Sequence, residues 1–165
     1  MTREEAVRRI DRAAEEKLTQ LDLAGLGLEE LPPEIGKCTQ LEMLVLGKWD
    51  EEKRKWVGNK LTEFPDAVLQ LTNLKILSLV KNQITEIPEA ISQLSNLSQL
   101  NLSENQITQI PKAIAQVSNL TLLSLNSNQI AEIPEVVAQL SNLTDRKSTR
   151  LNSSHMPVSR MPSSA

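Results

Sequence analysis

Residues 74–142 form three consecutive 23-residue units: LKILSLVKNQITEIPEAISQLSN (74–96), LSQLNLSENQITQIPKAIAQVSN (97–119) and LTLLSLNSNQIAEIPEVVAQLSN (120–142). In each unit, leucines occupy the first, fourth and sixth positions, an asparagine the ninth and a proline the fifteenth. A fixed period of this length is typical of stacked repeats, in which no unit can close a hydrophobic core alone. The sequence therefore predicts an elongated repeat array.

Two further units extend the array toward the N-terminus. Residues 18–40 keep the frame, with Leu26 at the asparagine position and Cys38 at the late apolar position. Residues 41–73 keep it as well but contain ten extra residues before Asn59. We therefore predict one repeat domain over residues 18–143, with units at 18–40, 41–73, 74–96, 97–119 and 120–142.

Each residue type that recurs in the units has a physical reason. The alternation in LxxLxL predicts a short strand whose leucines point inward. The proline predicts the start of a short helical return segment, where a missing N–H costs nothing. The asparagine amide can satisfy backbone groups that the turn leaves unpaired. We therefore predict a structural asparagine ladder of Asn59, Asn82, Asn105 and Asn128.

These units resemble leucine-rich repeats of the LPxxI type, which occur in intracellular proteins. The resemblance implies an α/β fold: a leucine-rich-repeat solenoid with short parallel strands on its concave face and an N-terminal capping helix. It also implies a protein–protein interaction module. The insertion and its flanks, LGKWDEEKRKWVGNKLTE (46–63), resemble the opening repeats of bacterial, especially cyanobacterial, Roco-type proteins, where repeats precede a Ras-like GTPase and a COR domain.

The Roco resemblance leaves two hypotheses open. In the first, the chain is a sensing or scaffolding segment, truncated from a larger signalling protein. In the second, it is a fragment of a GTP-hydrolysing signalling enzyme whose catalytic domains lie outside this sequence. The reading frame beyond Thr144 distinguishes the two.

Residues 1–17 form a predicted helix, with a capping box at Thr2 and Glu5 and with Glu4–Arg8 and Glu5–Arg9 ion pairs. Its apolar stripe of Val7, Ile10 and Ala14 favours a cap over the first repeat. The alternative is an amphipathic helix for a membrane or a partner, but the apolar face is small.

The repeat pattern ends before residues 144–165, which we interpret as a non-native, disordered tail. The segment DRKSTRLNSSH (145–155) resembles a translated short-read sequencing adapter, and SRMPSSA (159–165) resembles its continuation. The alternative is a basic tail that binds an acidic partner or RNA. Because His155 is the only histidine and lies in this segment, we give it no function.

Charge and composition exclude several classes of function. The net charge is −3, and residues 145–165 carry four basic residues against one acidic, so the first 144 residues carry −6. An acidic surface disfavours nucleic acid and anionic membrane as partners. A single cysteine and a charged N-terminus favour a cytoplasmic protein. We predict no catalytic residues, metal ligands, cofactor or small-molecule substrate.

The expected partner is a protein of unknown identity, bound at two neighbouring regions. One is the insertion, with the only two tryptophans and an arginine, which are common interface anchors. The other is the set of outward positions on the concave strands. The alternatives are rings that fold back onto the solenoid and strand residues selected only for strand formation. The predicted partner-binding residues are Trp49, Arg54, Trp56, Met43, Val45, Ile76, Ser78, Val80, Gln99, Asn101 and Leu122.

Overall fold

The computed structural model describes residues 2–135 and residue 137. Predictions that concern the tail at 144–165 lie outside these residues. The chain begins with helix α1 (Thr2–Glu15), which buries Ala6, Ile10 and Ala13 against the first repeat. The thiol of Cys38 donates a hydrogen bond to the Ile10 carbonyl at 3.4 Å. Helix α1 therefore covers the first repeat, as the resemblance implied.

The predicted details of the helix are confirmed in part. Of the predicted stripe, Ile10 is buried, Ala14 is partly buried against the core and Val7 is partly buried, while Ala6 and Ala13 are buried in addition. Arg8 pairs with Glu5 and not with Glu4, so that Glu5 binds both Arg8 and Arg9. Hydrogen bonds from Arg9 and then Arg8 lower the pKa of the exposed Glu5 carboxyl.

Five short parallel strands form the concave sheet, one from each repeat. The LxL alternation makes every strand three residues long, with its central leucine buried. The central leucines are aligned in register, so each repeat adds one layer to a single aliphatic core. The strands are β1 (Gln20–Asp22), β2 (Met43–Val45), β5 (Ile76–Ser78), β6 (Gln99–Asn101) and β7 (Leu122–Ser124).

The return segments of the first four repeats are 3-10 helices. A proline precedes each, and its carbonyl accepts the N–H of the residue three positions later at 3.0–3.2 Å. The proline fixes φ between −55° and −73°, which sets the direction in which the chain enters the helix. These helices are Pro33–Lys37, Asp66–Gln70, Glu89–Gln93 and Lys112–Gln116.

The four asparagines of the predicted ladder are all buried, at most 8% exposed. Asn105 illustrates the geometry: its Oδ1 accepts the N–H of Ile84 at 3.0 Å, and its Nδ2 donates to the carbonyls of Leu79 and Leu102 at 3.0 and 2.9 Å. Asn128 makes the equivalent bonds one repeat later. Each amide therefore joins its own turn to the preceding repeat.

A second row of asparagines, not predicted from the sequence, lies at the last position of the repeat. The amides of Asn73, Asn96 and Asn119 each donate at 2.9 Å to a carbonyl of the preceding repeat. In the first repeat Gln40 occupies this position and donates to the carbonyls of Ala13 and Leu18, at the end of α1. These bonds are exposed or only partly buried, in contrast to the internal ladder.

Candidate functional site

The ten extra residues of the second repeat form a β-hairpin, not a loop. Its strands are β3 (Lys48–Asp50) and β4 (Lys55–Val57), paired antiparallel with Trp49 opposite Trp56. The tip is closed by Asp50, whose carboxylate accepts the N–H of Lys53 at 2.9 Å, and by Arg54 with φ of 50°. The backbone and side-chain bonds from Lys53 lower the pKa of Asp50.

The hairpin replaces a single-residue turn. In the later repeats the residue before the ladder asparagine has left-handed φ: 58° at Lys81, 55° at Glu104 and 56° at Ser127. In the second repeat the chain leaves at Gly47, forms the hairpin and rejoins the frame at Gly58. The frame of the second repeat therefore continues unchanged before and after the hairpin.

The two tryptophan rings pack against each other at the surface. Their centroids are 5.4 Å apart with an interplanar angle of 74°, an edge-to-face arrangement favoured by the quadrupoles of the rings. Trp49 is 41% exposed and Trp56 37% exposed, among the few large apolar side chains so exposed in the described residues. Neither ring belongs to the hydrophobic core, and the two rings contact each other across the hairpin. The alternative in which the rings fold back over the solenoid stays a hypothesis.

Two glycines, Gly47 and Gly58, lie at the base of the hairpin and are held by close packing. A Cβ on Gly47 would lie 1.7 Å from the carbonyl oxygen of Val80, and one on Gly58 would lie 1.7 Å from that of Lys81. Both positions require glycine because two backbones approach closely there. The base of the hairpin is therefore packed tightly on the third repeat.

This packing corrects the prediction for Val80. Its side chain is fully buried and cannot form part of an exposed apolar patch. The reason is that Gly47 lies directly on it, with the position of a Gly47 Cβ only 3.0 Å from a Val80 methyl carbon. The position of Val80 is therefore an internal one, as is that of Ser103, the equivalent residue of the next repeat.

Ser78 has a contact that the sequence did not indicate. Its hydroxyl donates a 2.6 Å hydrogen bond to the carbonyl of Gly47. Beside it, the ammonium group of Lys48 pairs with the carboxylate of Asp22 on β1. These two side-chain contacts tie the start of the hairpin to the concave sheet.

The other predicted concave residues lie in two rows across the sheet. Pairing places Met43 next to Ile76, Ile76 next to Gln99, and Gln99 next to Leu122. Gln99 is exposed and the rest of this row is partly buried. A second row contains Val45, Ser78 and Asn101. The structure thus brings the members of each row together on the sheet, and β2 leads into the hairpin. The binding role itself stays a prediction.

The concave rows are nearly free of charge. Asp22 is the one ionisable side chain among the strand residues of the five-stranded sheet, and it is paired with Lys48. The rest are aliphatic, amide and hydroxyl groups. Within the described residues no set of three or more His, Cys, Asp or Glu side chains is placed to hold a metal. No helix in that part of the chain has the length and apolar character to cross a membrane.

Fold and surface together define a repeat solenoid that carries an inserted tryptophan hairpin. The family model described as leucine rich repeat matches residues 57–107 and 72–130. Together with the structural neighbours below, this match identifies the chain as a leucine-rich-repeat protein. No curated protein is similar enough to match the chain.

Several solved structures share the fold. A leucine-rich-repeat protein of Leptospira interrogans is 34% identical over 81% of this chain, with a TM-score of 0.58. Internalin C2 of Listeria monocytogenes is 28% identical over 79% of it, with a TM-score of 0.64. The ectodomain of the Arabidopsis thaliana receptor kinase GASSHO1/SCHENGEN3, solved in complex with CASPARIAN STRIP INTEGRITY FACTOR 2, is 27% identical over 69% of it, with a TM-score of 0.58.

The chain spans only part of each of these proteins. It covers 38% of the Leptospira protein, 52% of the internalin and 13% of the plant ectodomain. What those proteins do as a whole does not transfer to this chain by similarity alone.

Proposed function

We propose that this chain is a non-catalytic protein-binding module whose recognition surface combines the tryptophan hairpin with the adjoining concave rows. The observation that carries the proposal is the exposed Trp49–Trp56 pair on the hairpin that follows β2 directly in the chain. Exposed tryptophans cost free energy in water and are enriched among the residues that dominate binding energy.

The composition of the concave rows supports the same function. Amide and hydroxyl side chains next to aromatic anchors are the combination that antibody binding sites use, because the first adapt their hydrogen bonds and the second add rigid contact area. A protein partner also has a precedent in the plant ectodomain, which was solved in complex with another named factor. The partner of this chain is expected to meet uncharged groups at the centre of the interface.

Two substitutions test the surface. The partner is first captured on the immobilised chain and purified, and its affinity is then measured by calorimetry. Trp56→Ala and Ile76→Asp are each expected to weaken binding by about 1–3 kcal/mol. Both variants should fold, since neither residue belongs to the buried core.

The matched control lies on the opposite side of the solenoid. Gln93→Ala, at an exposed position of a 3-10 helix, should leave the affinity unchanged. If Trp56→Ala and Ile76→Asp bind as tightly as the unmodified chain, the recognition surface lies elsewhere and the proposal fails.

The larger context of the module is also a proposal. The resemblance of the insertion to Roco-type repeats supports a sensing or scaffolding role within a larger signalling protein. The Cys38 thiol is buried and not disulfide-bonded, which is compatible with a reducing, cytoplasmic setting. Sequencing the genomic reading frame past Thr144 tests both this context and the interpretation of residues 145–165 as translated adapter.

A further inference from the structure

The tryptophan hairpin needs support beyond its own two strands. An isolated two-stranded hairpin is at best marginally stable in water, and each strand here has only three residues. None of residues 48–57 contributes a side chain to the buried core. The orientation of the hairpin must therefore be fixed at its base.

The first support is backbone packing. Gly47 and Gly58 lie against the carbonyl groups of Val80 and Lys81, where no Cβ can fit. In addition, the N–H of Leu46 donates to the carbonyl of Ser78 at 2.7 Å just before the hairpin. These contacts fix the point at which the hairpin leaves the sheet, but none of them involves a residue of β3 or β4.

The second support consists of two side chains on the concave sheet. The hydroxyl of Ser78 holds the carbonyl of Gly47, and the carboxylate of Asp22 holds the ammonium of Lys48. The two contacts reach the hairpin from β5 and from β1, on either side of the strand β2 that leads into it. Attachment from both sides opposes rotation of the hairpin about its base.

The attachment through Lys48 involves only one face of the hairpin. Successive residues of a strand point to opposite faces, so Lys48 lies on the face opposite Trp49. The Asp22 contact therefore engages one face and leaves the tryptophan face free. An exposed ion pair contributes little to the free energy of folding, so its contribution here is to orientation.

We propose that Ser78 and Asp22 are positioning residues that hold the tryptophan hairpin in one orientation, so that it acts as a preformed recognition arm. The proposal rests on the proposed function for its biological meaning. Ser78, predicted as a partner contact, acts instead through the hairpin. Preorganisation of this kind improves affinity because less motion is lost on binding.

Tryptophan fluorescence tests the proposal without any partner, because Trp49 and Trp56 are the only tryptophans in the chain. Time-resolved anisotropy of the full chain should show little fast motion of the rings beyond overall tumbling. Ser78→Ala and Asp22→Asn should each increase the amplitude of the nanosecond component by roughly two-fold.

Restoring the contacts should restore the rigid hairpin. Ser78→Thr keeps a hydroxyl and should behave like the unmodified chain. The charge reversal Asp22→Lys with Lys48→Asp should reverse the effect of Asp22→Asn. The matched control is Asp11→Asn, which breaks a comparable exposed ion pair with Lys37 far from the hairpin and should not change the signal.

The outcomes separate this proposal from the proposed function. If Ser78→Ala and Asp22→Asn leave the anisotropy decay unchanged, or if Asp11→Asn alters it equally, the positioning role is overturned. If they mobilise the rings while Trp56→Ala leaves partner affinity unchanged, the positioning role holds and the proposed recognition surface is wrong.

Discussion

At the residue scale, the ladder asparagines show how one buried amide stabilises a turn. Asn105 satisfies one N–H and three carbonyls of the backbone, all in a buried setting. Water cannot replace a partner there, and each buried polar group left unpaired costs about 1–3 kcal/mol. The exposed amide of Asn96 makes a single bond to the Thr72 carbonyl, where water can take its place.

We therefore expect Asn105→Ala to lower the free energy of unfolding by about 3 kcal/mol, and Asn96→Ala by about 0.5–1 kcal/mol. Urea denaturation followed by circular dichroism measures both. The pair is matched because each substitution removes the same amide from the same type of repeat. Equal losses in the two variants would show that burial does not set the value of these bonds.

At the element scale, sequence reasoning succeeded where the repeat dictated the answer. The strands, the return segments and the internal ladder follow from positions that recur in every unit. The hairpin occurs once, so no period identified it, although the near-repeat of KWD (48–50) and KWV (55–57) on either side of a charged segment was a signal of two similar short strands.

The prediction for Val80 was wrong because the sequence does not show how closely the backbone of the neighbouring repeat approaches this position, where Gly47 packs on the side chain. The hydrogen bond of Ser78 to the Gly47 carbonyl involves individual residues of two repeats, which the period does not predict. The exposed asparagine row was missed although it recurs, because an exposed polar side chain gives no sign in the sequence of the backbone group that it contacts. Close backbone approach and contacts to an inserted element leave no periodic trace in a sequence.

Deletion of residues 48–57 tests the independence of the hairpin. It shortens the 33-residue unit to the regular 23 residues and places Gly58, which tolerates left-handed φ, at the turn position. Because the hairpin adds no core side chain, the free energy of unfolding should change by no more than about 1 kcal/mol. Thermal unfolding measures this, and a large loss would make the hairpin part of the folding unit.

Helix α1 can be monitored through the buried thiol beneath it. Burial raises the pKa of Cys38, so in the folded chain it is a protonated thiol closed off from reagents. Ile10→Ala should weaken helix docking by about 2–5 kcal/mol and speed labelling of Cys38 by Ellman's reagent at least roughly tenfold. Val7→Ala, at a partly buried position, is the control. An unchanged rate in Ile10→Ala would mean that the thiol is reached by another route.

At the scale of the whole molecule, stability depends on position in the stack. Each repeat contacts its neighbours only, so the free energy of the array is close to a sum of repeat and interface contributions. Strands β5 and β6 pair with a strand on both sides, and helix α1 covers the side of β1.

Amide hydrogen exchange should therefore be graded along the solenoid. We expect the slowest exchange at Leu77 and Leu100, in β5 and β6, and faster exchange toward the ends of the array, because local opening of a repeat array begins at its terminal repeats. Mass spectrometry of peptic fragments can measure the gradient. Uniform exchange across the five strands would instead show that the array opens as one cooperative unit.

The final prediction concerns the part of the chain that follows the repeats. Residues 145–165 contain none of the spaced leucines of the unit: Arg146 and Ser148 stand where the next two are due. A further layer of the aliphatic core needs those side chains, so truncation after Thr144 should leave the unfolding midpoint unchanged. Replacing the same residues with one regular 23-residue unit should raise the midpoint, because it adds an interface. A loss above about 1 kcal/mol on truncation, typical of lost packing, would make the segment a true cap of the solenoid.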